Sequence, residues 1–414
     1  MITAEVPIST FSVDVDTTSY AFIRSALKAG RVPPKAAVRT EEMINYFPYS
    51  YPRPEGDAAF HTSVTQTATP WNPNTQLLRI ALQGQMPKRD KQPPLNLVFL
   101  IDTSGSMHDA NKLPLLKQSF RLMLRRLTAS DQVAIITYAG SAGQVLAPTA
   151  GDQTGTILAA LEQLQTGGST HGQAGLQLAY RTTTQMAQAQ DTTRVILATD
   201  RDFNLGISDP EDLKALISKH RDSGIYLSVL GFDRGNLDDA TLQALAQNGN
   251  GQAAYIDSLS EAQKVLVDQL DGALFPIAND VKIQIEFNPA QVAEYRLIGY
   301  ETRALRRANF NNDKVDAGDI GAGHQVTALY EITPVGSPAR MTEPLRYGAP
   351  ISQNSQPEIA FVTLRYKRPG ETQSQRINAP VGAPESFDAD DDLRFAATIA
   401  RFGQLLRDPR YMGT

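Results

Sequence analysis

The chain has 414 residues, enough for two or three domains with substantial cores. Apolar residues make up 41% and charged residues 20%, the balance of a folded globular protein rather than a collagen-like or disordered one. Acidic residues outnumber basic ones 44 to 39, so no net positive field draws the chain to nucleic acid or anionic lipid, and the lack of cysteine removes disulfides, thiolate metal ligands and a cysteine nucleophile together.

Residues 1–55 open with Phe11, Val13 and Val15 alternating with Ser12, Asp14 and Asp16, which predicts a short strand with a polar face. Residues 17–19 are placed to cap a helix carrying Tyr20, Ile23 and Leu27, ended by Gly30 and Pro33-Pro34, and a second short helix is expected over 41–47. Residues 56–94 are rich in Pro, Thr and Gln, with strands over 61–67 and 76–83 that form the first part of a flanking β domain. Trp71, the only tryptophan, is expected to anchor that domain.

From 95 to 277 apolar runs alternate with amphipathic helices, the pattern of βαβ units around a mostly parallel, doubly wound sheet buried on both faces. The predicted strands are 95–101, 132–138, 144–147, 194–199, 225–231 and 253–256. Leu116, Phe120, Met123 and Leu127 mark one helix, Leu213, Leu216 and Ile217 another, and a last helix spans 260–274. Residues 278–387 return to strands, at 281–287, 294–299, 325–332 and 358–367, as the second part of the flanking β domain. Residues 388–414 carry Phe395, Ile399, Phe402 and Leu406 at helical spacing behind an Asp-rich start. The fold class is therefore α/β, either inserted in or flanked by a β-sandwich-like domain. No stretch reaches the ~18–20 apolar residues that span a bilayer, and residues 1–15 lack signal-peptide order, so an exported form would carry its signal outside this sequence.

The first α/β strand ends in Asp102-Thr103-Ser104-Gly105-Ser106, where ligands bind in an open parallel sheet. Two later loops add oxygen donors: Gly167-Gly168-Ser169-Thr170 before a helix, and Asp200 at the end of the run 195–199. Hard oxygen donors with few carboxylates suit Mg²⁺, with Mn²⁺ or Ca²⁺ as substitutes, and suit zinc or copper poorly. Asn311, Asp313, Asp316, Gly318 and Asp319 miss the spacing of a calcium loop and read as a polar turn.

At Asp102, Ser104, Ser106, Thr170 and Asp200 the sequence resembles the von Willebrand factor type A (VWA) domain, whose metal-ion-dependent adhesion site uses D-x-S-x-S, a Thr and an Asp. The flanks resemble bacterial VWA proteins of the YfbK-like kind at residues 10–17 (TFSVDVDT), 41–47 (EEMINYF), 287–290 (FNPA) and 295–300 (YRLIGY). The resemblance implies a metal-mediated binding module, not an enzyme. Its partner would be a protein presenting Asp or Glu, and its setting the cell envelope, secreted or lipid-anchored. Two residues depart from the family pattern. Arg201 stands where Gly usually follows the metal-site Asp, and His171 follows Thr170; both are candidate ligand contacts. The competing readings are a metal-dependent hydrolase, for which His171 is the only nearby general base, and an envelope-assembly component whose binding needs no metal.

Overall fold

The computed structural model describes residues 1–13, 17–86, 92–168, 172–188, 191–200, 210–232, 239–269, 272, 274–315, 317–343, 358–382 and 390–408. They divide into two compact units, one made of 1–86 with 276–414 and the other of 87–275. Asp14, Val15, Asp16 and Asp316 fall outside the described residues.

In the first unit the described strands are β1 (Ile8–Ser12), β2 (Phe60–Thr69) and β3 (Asn72–Gly84) from the N-terminal side. In the second they are β4 (Leu95–Asp102), β5 (Gln132–Tyr138), β6 (Ala142–Ala150), β7 (Thr192–Thr199), β8 (Ile225–Gly231) and β9 (Ala253–Tyr255). The first unit resumes with β10 (Pro276–Phe287), β11 (Val292–Ile298), β12 (Gly318–Gly321), β13 (Gln325–Pro334), β14 (Glu358–Lys367) and β15 (Gln375–Gly382).

The unit 87–275 is built on one sheet ordered β6-β5-β4-β7-β8-β9, parallel throughout except for β6. All eight residues of β4 are buried because both faces are covered, which is why the strand reads as an unbroken apolar run. On one face, Leu176, Ala179 and Tyr180 of α5 (Gly172–Met186) join Leu213 and Ile217 of α6 (Pro210–Asp222) and Leu242 and Leu245 of α7 (Asp239–Asn248) in a single core. Phe120 of α3 (Leu113–Leu124) meets Phe99 with ring centroids 4.3 Å apart. Between α3 and α5 comes α4 (Thr154–Glu162). Within the expected helix over 260–274, the described residues form α8 (Leu259–Gln263) running into one π turn, Lys264–Asp268, closed by Gln269 N donating to Lys264 O at 2.9 Å, and residues 272 and 274 are helical as well. The edge strand β6 is antiparallel because the chain turns straight back from β5, with Ala139 N donating to Ser141 O.

The other unit holds two antiparallel sheets, β1-β10-β14-β15 with β12 on β10, and β11-β13-β3-β2. Each sheet joins strands from both ends of the chain: Phe11 lies opposite Ile283, and Ile80 opposite Ala328. Phe11, Leu78, Ile80, Ile283, Phe287, Tyr330 and Val362 are among the buried residues of their shared core. A second cluster packs Ile44 of α2 (Thr40–Asn45), and Ala396, Ala397 and Ala400 of α9 (Asp391–Arg407), against Leu77, Ala81 and Leu329. Trp71 is buried there and donates Nε1–H to Glu331 Oε2 at 3.2 Å. The first helix, α1 (Thr18–Lys28), is not capped by the Thr17 side chain. Its orphan amide at Ser19 donates to Glu42 Oε2 at 2.9 Å instead, a carboxylate at the positive end of the helix. Two strands escape the sequence pattern: β12, in the stretch read as a polar turn, and β15.

Candidate metal centre

The carboxyl ends of β4 and β7 lie side by side because the two strands pair in parallel, with Ile101 opposite Ala198. That register alone brings Asp102 and Asp200 to the same edge of the sheet. Both are buried, at 1% and 0% exposure.

Beyond Asp102 the chain leaves the sheet. Ser104 N donates to Asp102 Oδ1 at 2.8 Å, and Thr199 Oγ1 donates to Asp102 Oδ2 at 3.3 Å. The turn that follows lines up three oxygens: Ser104 Oγ is 3.0 Å from Ser106 Oγ, and Ser106 Oγ donates to Asp200 Oδ1 at 3.0 Å. Asp102, Ser104, Ser106 and Asp200 are therefore one connected cluster, spanning 94 residues of sequence between Ser106 and Asp200.

A second loop is tied to this one through backbone. Gly167 N donates to Thr103 O at 2.8 Å, and Gly105 N donates to Gly168 O at 3.3 Å. Gly168 sits at φ +80°, and a Cβ there would be 3.1 Å from Gly140 N, so the close approach of this loop needs glycine. Thr170 and His171, shortly after Gly168 in the chain, and Arg201, next after Asp200, lie outside the described residues.

Burial raises the Asp102 carboxyl above the ordinary aspartate range, and the Asp200 charge adds to the shift while the Ser104 amide opposes it. Among the described residues no cationic side chain pairs with Asp102, whereas Lys112 Nζ lies 2.7 Å from Asp200 Oδ2. No sequence motif marks this lysine, which meets Asp200 across 88 residues of chain from the turn just before α3. Two residues beyond Ser106, His108 enters the lining of a cleft of about 640 Å³ with Leu113, Lys117, Arg121, Glu162 and Thr166. The cluster offers two carboxylates and two hydroxyls, a hard-oxygen donor set that fits Mg²⁺ or Mn²⁺, and the buried Asp102 carboxylate, with no cationic partner among the described residues, fits a cation.

Residues 96–269 match the von Willebrand factor type A domain, residues 1–79 a region described as von Willebrand factor, and residues 272–414 the C-terminal region of uncharacterized protein YfbK. The chain is 43% identical over 420 residues to uncharacterized protein YfbK of Escherichia coli (strain K12), covering 99% of this chain and 72% of that one. It is 29% identical over 186 residues to uncharacterized protein sll0103 of Synechocystis sp., covering 45% and 43%. Among solved structures, the von Willebrand factor type A protein from Catenulispora acidiphila aligns with a TM-score of 0.46 at 16% identity, covering 82% of this chain and 78% of that one. With the central domain matched and the likeness to the Escherichia coli protein running through both flanks, the chain belongs to the YfbK-like family of von Willebrand factor type A proteins.

Proposed function

We propose that this protein is a non-enzymatic binding module that engages an Asp or Glu of a partner protein through one divalent cation. Domains of this type typically mediate protein–protein interaction. The observation that carries the reading is the bonded chain Ser104 Oγ, Ser106 Oγ, Asp200 Oδ1 at the edge of the sheet, beside the buried Asp102. Asp102, Ser104, Ser106, Asp200 and, from the adjoining loop, Thr170 would hold the ion, with Mg²⁺ the first choice and Mn²⁺ or Ca²⁺ as substitutes.

When bound, the cation supplies an electrophilic centre with a coordination position for an incoming carboxylate. The residues of the chain do the rest. The Ser104 amide and the Thr199 hydroxyl fix both oxygens of Asp102, so its carboxylate is oriented before any ligand arrives. Ser106 does the same for Asp200. Only two carboxylates face a divalent charge, so a partner's acidic side chain is not repelled by excess anion. His171 and Arg201 are proposed as contacts to that partner, and the cell envelope as the setting, following the family resemblance.

The test is a pull-down from native envelope and soluble fractions, run with Mg²⁺ and with EDTA. Partners retained in Mg²⁺ and released by EDTA support the reading. Partners that survive EDTA contradict it and favour a metal-independent assembly role.

A further inference from the structure

One cation is already part of the cluster. Lys112 Nζ stands 2.7 Å from Asp200 Oδ2, with the two side chains 7% and 0% exposed, so the pair is closed to water. The lysine is set by the backbone around it: Lys112 N donates to Asp109 O at 2.9 Å, and Leu116 N, in the first turn of α3, donates to Lys112 O at 2.8 Å. The two oxygens of Asp200 are thereby divided, Oδ1 to Ser106 and Oδ2 to Lys112. Arg201, the cationic residue next in the chain, lies outside the described residues. The cation described at Asp200 comes from 88 residues earlier.

We propose that Lys112 is a tethered stand-in for the divalent ion. It neutralises Asp200 in the metal-free domain, and on metal loading it gives Asp200 up and turns to Asp109. This rests on the reading of the cluster as a metal site. A buried carboxylate left without a counter-charge is costly, and the ammonium removes that cost while no metal is present. A divalent ion shared with Asp200 would stand close to the ammonium, and like charges at such a spacing in a poorly solvated site repel strongly. The two cations therefore occupy the cluster alternately. A destination for the displaced ammonium exists, because Asp109 Oδ2 lies 4.0 Å from Nζ on a side chain that is 70% exposed. A compact ammonium on a flexible four-carbon stem suits such an exchange better than the rigid fork of an arginine. Lys112 thus has two effects: the metal-free domain stays folded, and the free metal concentration at which the site fills is raised.

The test uses the full chain as wild type, Lys112→Met and Lys112→Met/Asp200→Asn, with Mn²⁺ affinity from calorimetry and melting with and without Mg²⁺. Lys112→Met should bind Mn²⁺ about tenfold or more tightly than wild type. Without metal it should melt roughly 5–15 °C lower, and Mg²⁺ should recover most of that loss. The double variant, with neither charge left, should melt without metal close to wild type, which also covers the case in which the single variant fails to fold. Mn²⁺ affinity in Lys112→Met equal to or weaker than a measurable wild-type affinity would overturn the inference while leaving the metal site standing. A double variant as unstable as the single one would overturn it too, since the loss would then not come from the Asp200 charge. No Mn²⁺ binding by either wild type or Lys112→Met would remove the metal-site reading itself, and this inference with it.

Discussion

Arg79 and Asp390 stand 311 residues apart in sequence and meet in a two-pronged ion pair, with Nη1 2.9 Å from Oδ1 and Nη2 2.7 Å from Oδ2. Arg79 belongs to β3, and its guanidinium also lies 5.1 Å from the centre of the Tyr51 ring. Asp390 is the N-cap of α9 and accepts from Leu393 N at 2.6 Å. One carboxylate thus caps the last helix and ties it to a strand from the other end of the chain. Asp390→Ala should cost about 2–4 kcal/mol, because it removes the cap and leaves the buried Arg79 charge without its carboxylate. Urea unfolding measures it, and a loss below about 0.5 kcal/mol would mean the pair behaves like an exposed surface bridge.

Gly175 lies where α5 presses on the sheet: a Cβ there would be 2.9 Å from Tyr138 Cβ and 3.1 Å from Leu100 Cδ1. Gly175→Val should therefore destabilise the α/β unit by about 1–3 kcal/mol or more. Tyr138 is paired with Asp102 across β5 and β4, so the same variant should weaken Mn²⁺ binding as well. A variant with unchanged stability and unchanged Mn²⁺ affinity would show that the sheet yields at this contact without moving the Asp102 loop.

Glu41 supplies a pH dependence. Burial, with the neighbouring Glu42 charge adding to it, raises its carboxyl from 4.5 to about 7. The folded state then holds a proton that the unfolded state has lost between about pH 4.5 and 7. Its contribution to stability is complete below the unfolded value and is lost as pH rises through the folded one. The loss is on the order of 3 kcal/mol. Wild type compared with Glu41→Gln should show this fall over that window, with the variant gaining in relative stability above pH 7. Parallel pH–stability curves for the two chains would contradict it.

We also propose that the α/β unit folds by itself. Residues 87–275 expressed alone should melt cooperatively, since their sheet and its helical cover lie within that span. A fragment without a cooperative transition would count against this.

The parts of the fold legible in sequence are those where burial imposes a period. β4 is read as 95–101 and observed as Leu95–Asp102, because a strand covered on both faces must be apolar throughout. β12 and β15 leave no such mark. GDIG is four residues long with one large apolar side chain, and QRINAPVG is an edge strand with alternate residues facing solvent, so pairing through backbone carries what the side chains do not announce. The same division holds in the candidate metal centre. Asp102 and Asp200 are legible because each ends an apolar strand, and Ser104 and Ser106 because of their spacing. Lys112 is not, because its meaning lies in a contact across 88 residues that no local pattern encodes.

The central claim is that Asp102 and its neighbours hold a divalent cation, and calorimetric titration of the full chain and of Asp102→Ala with Mn²⁺ tests it most directly. The account predicts one Mn²⁺ per wild-type chain and none for the variant, with both chains folded. Equal Mn²⁺ binding by the two chains, or no binding by wild type, would contradict it.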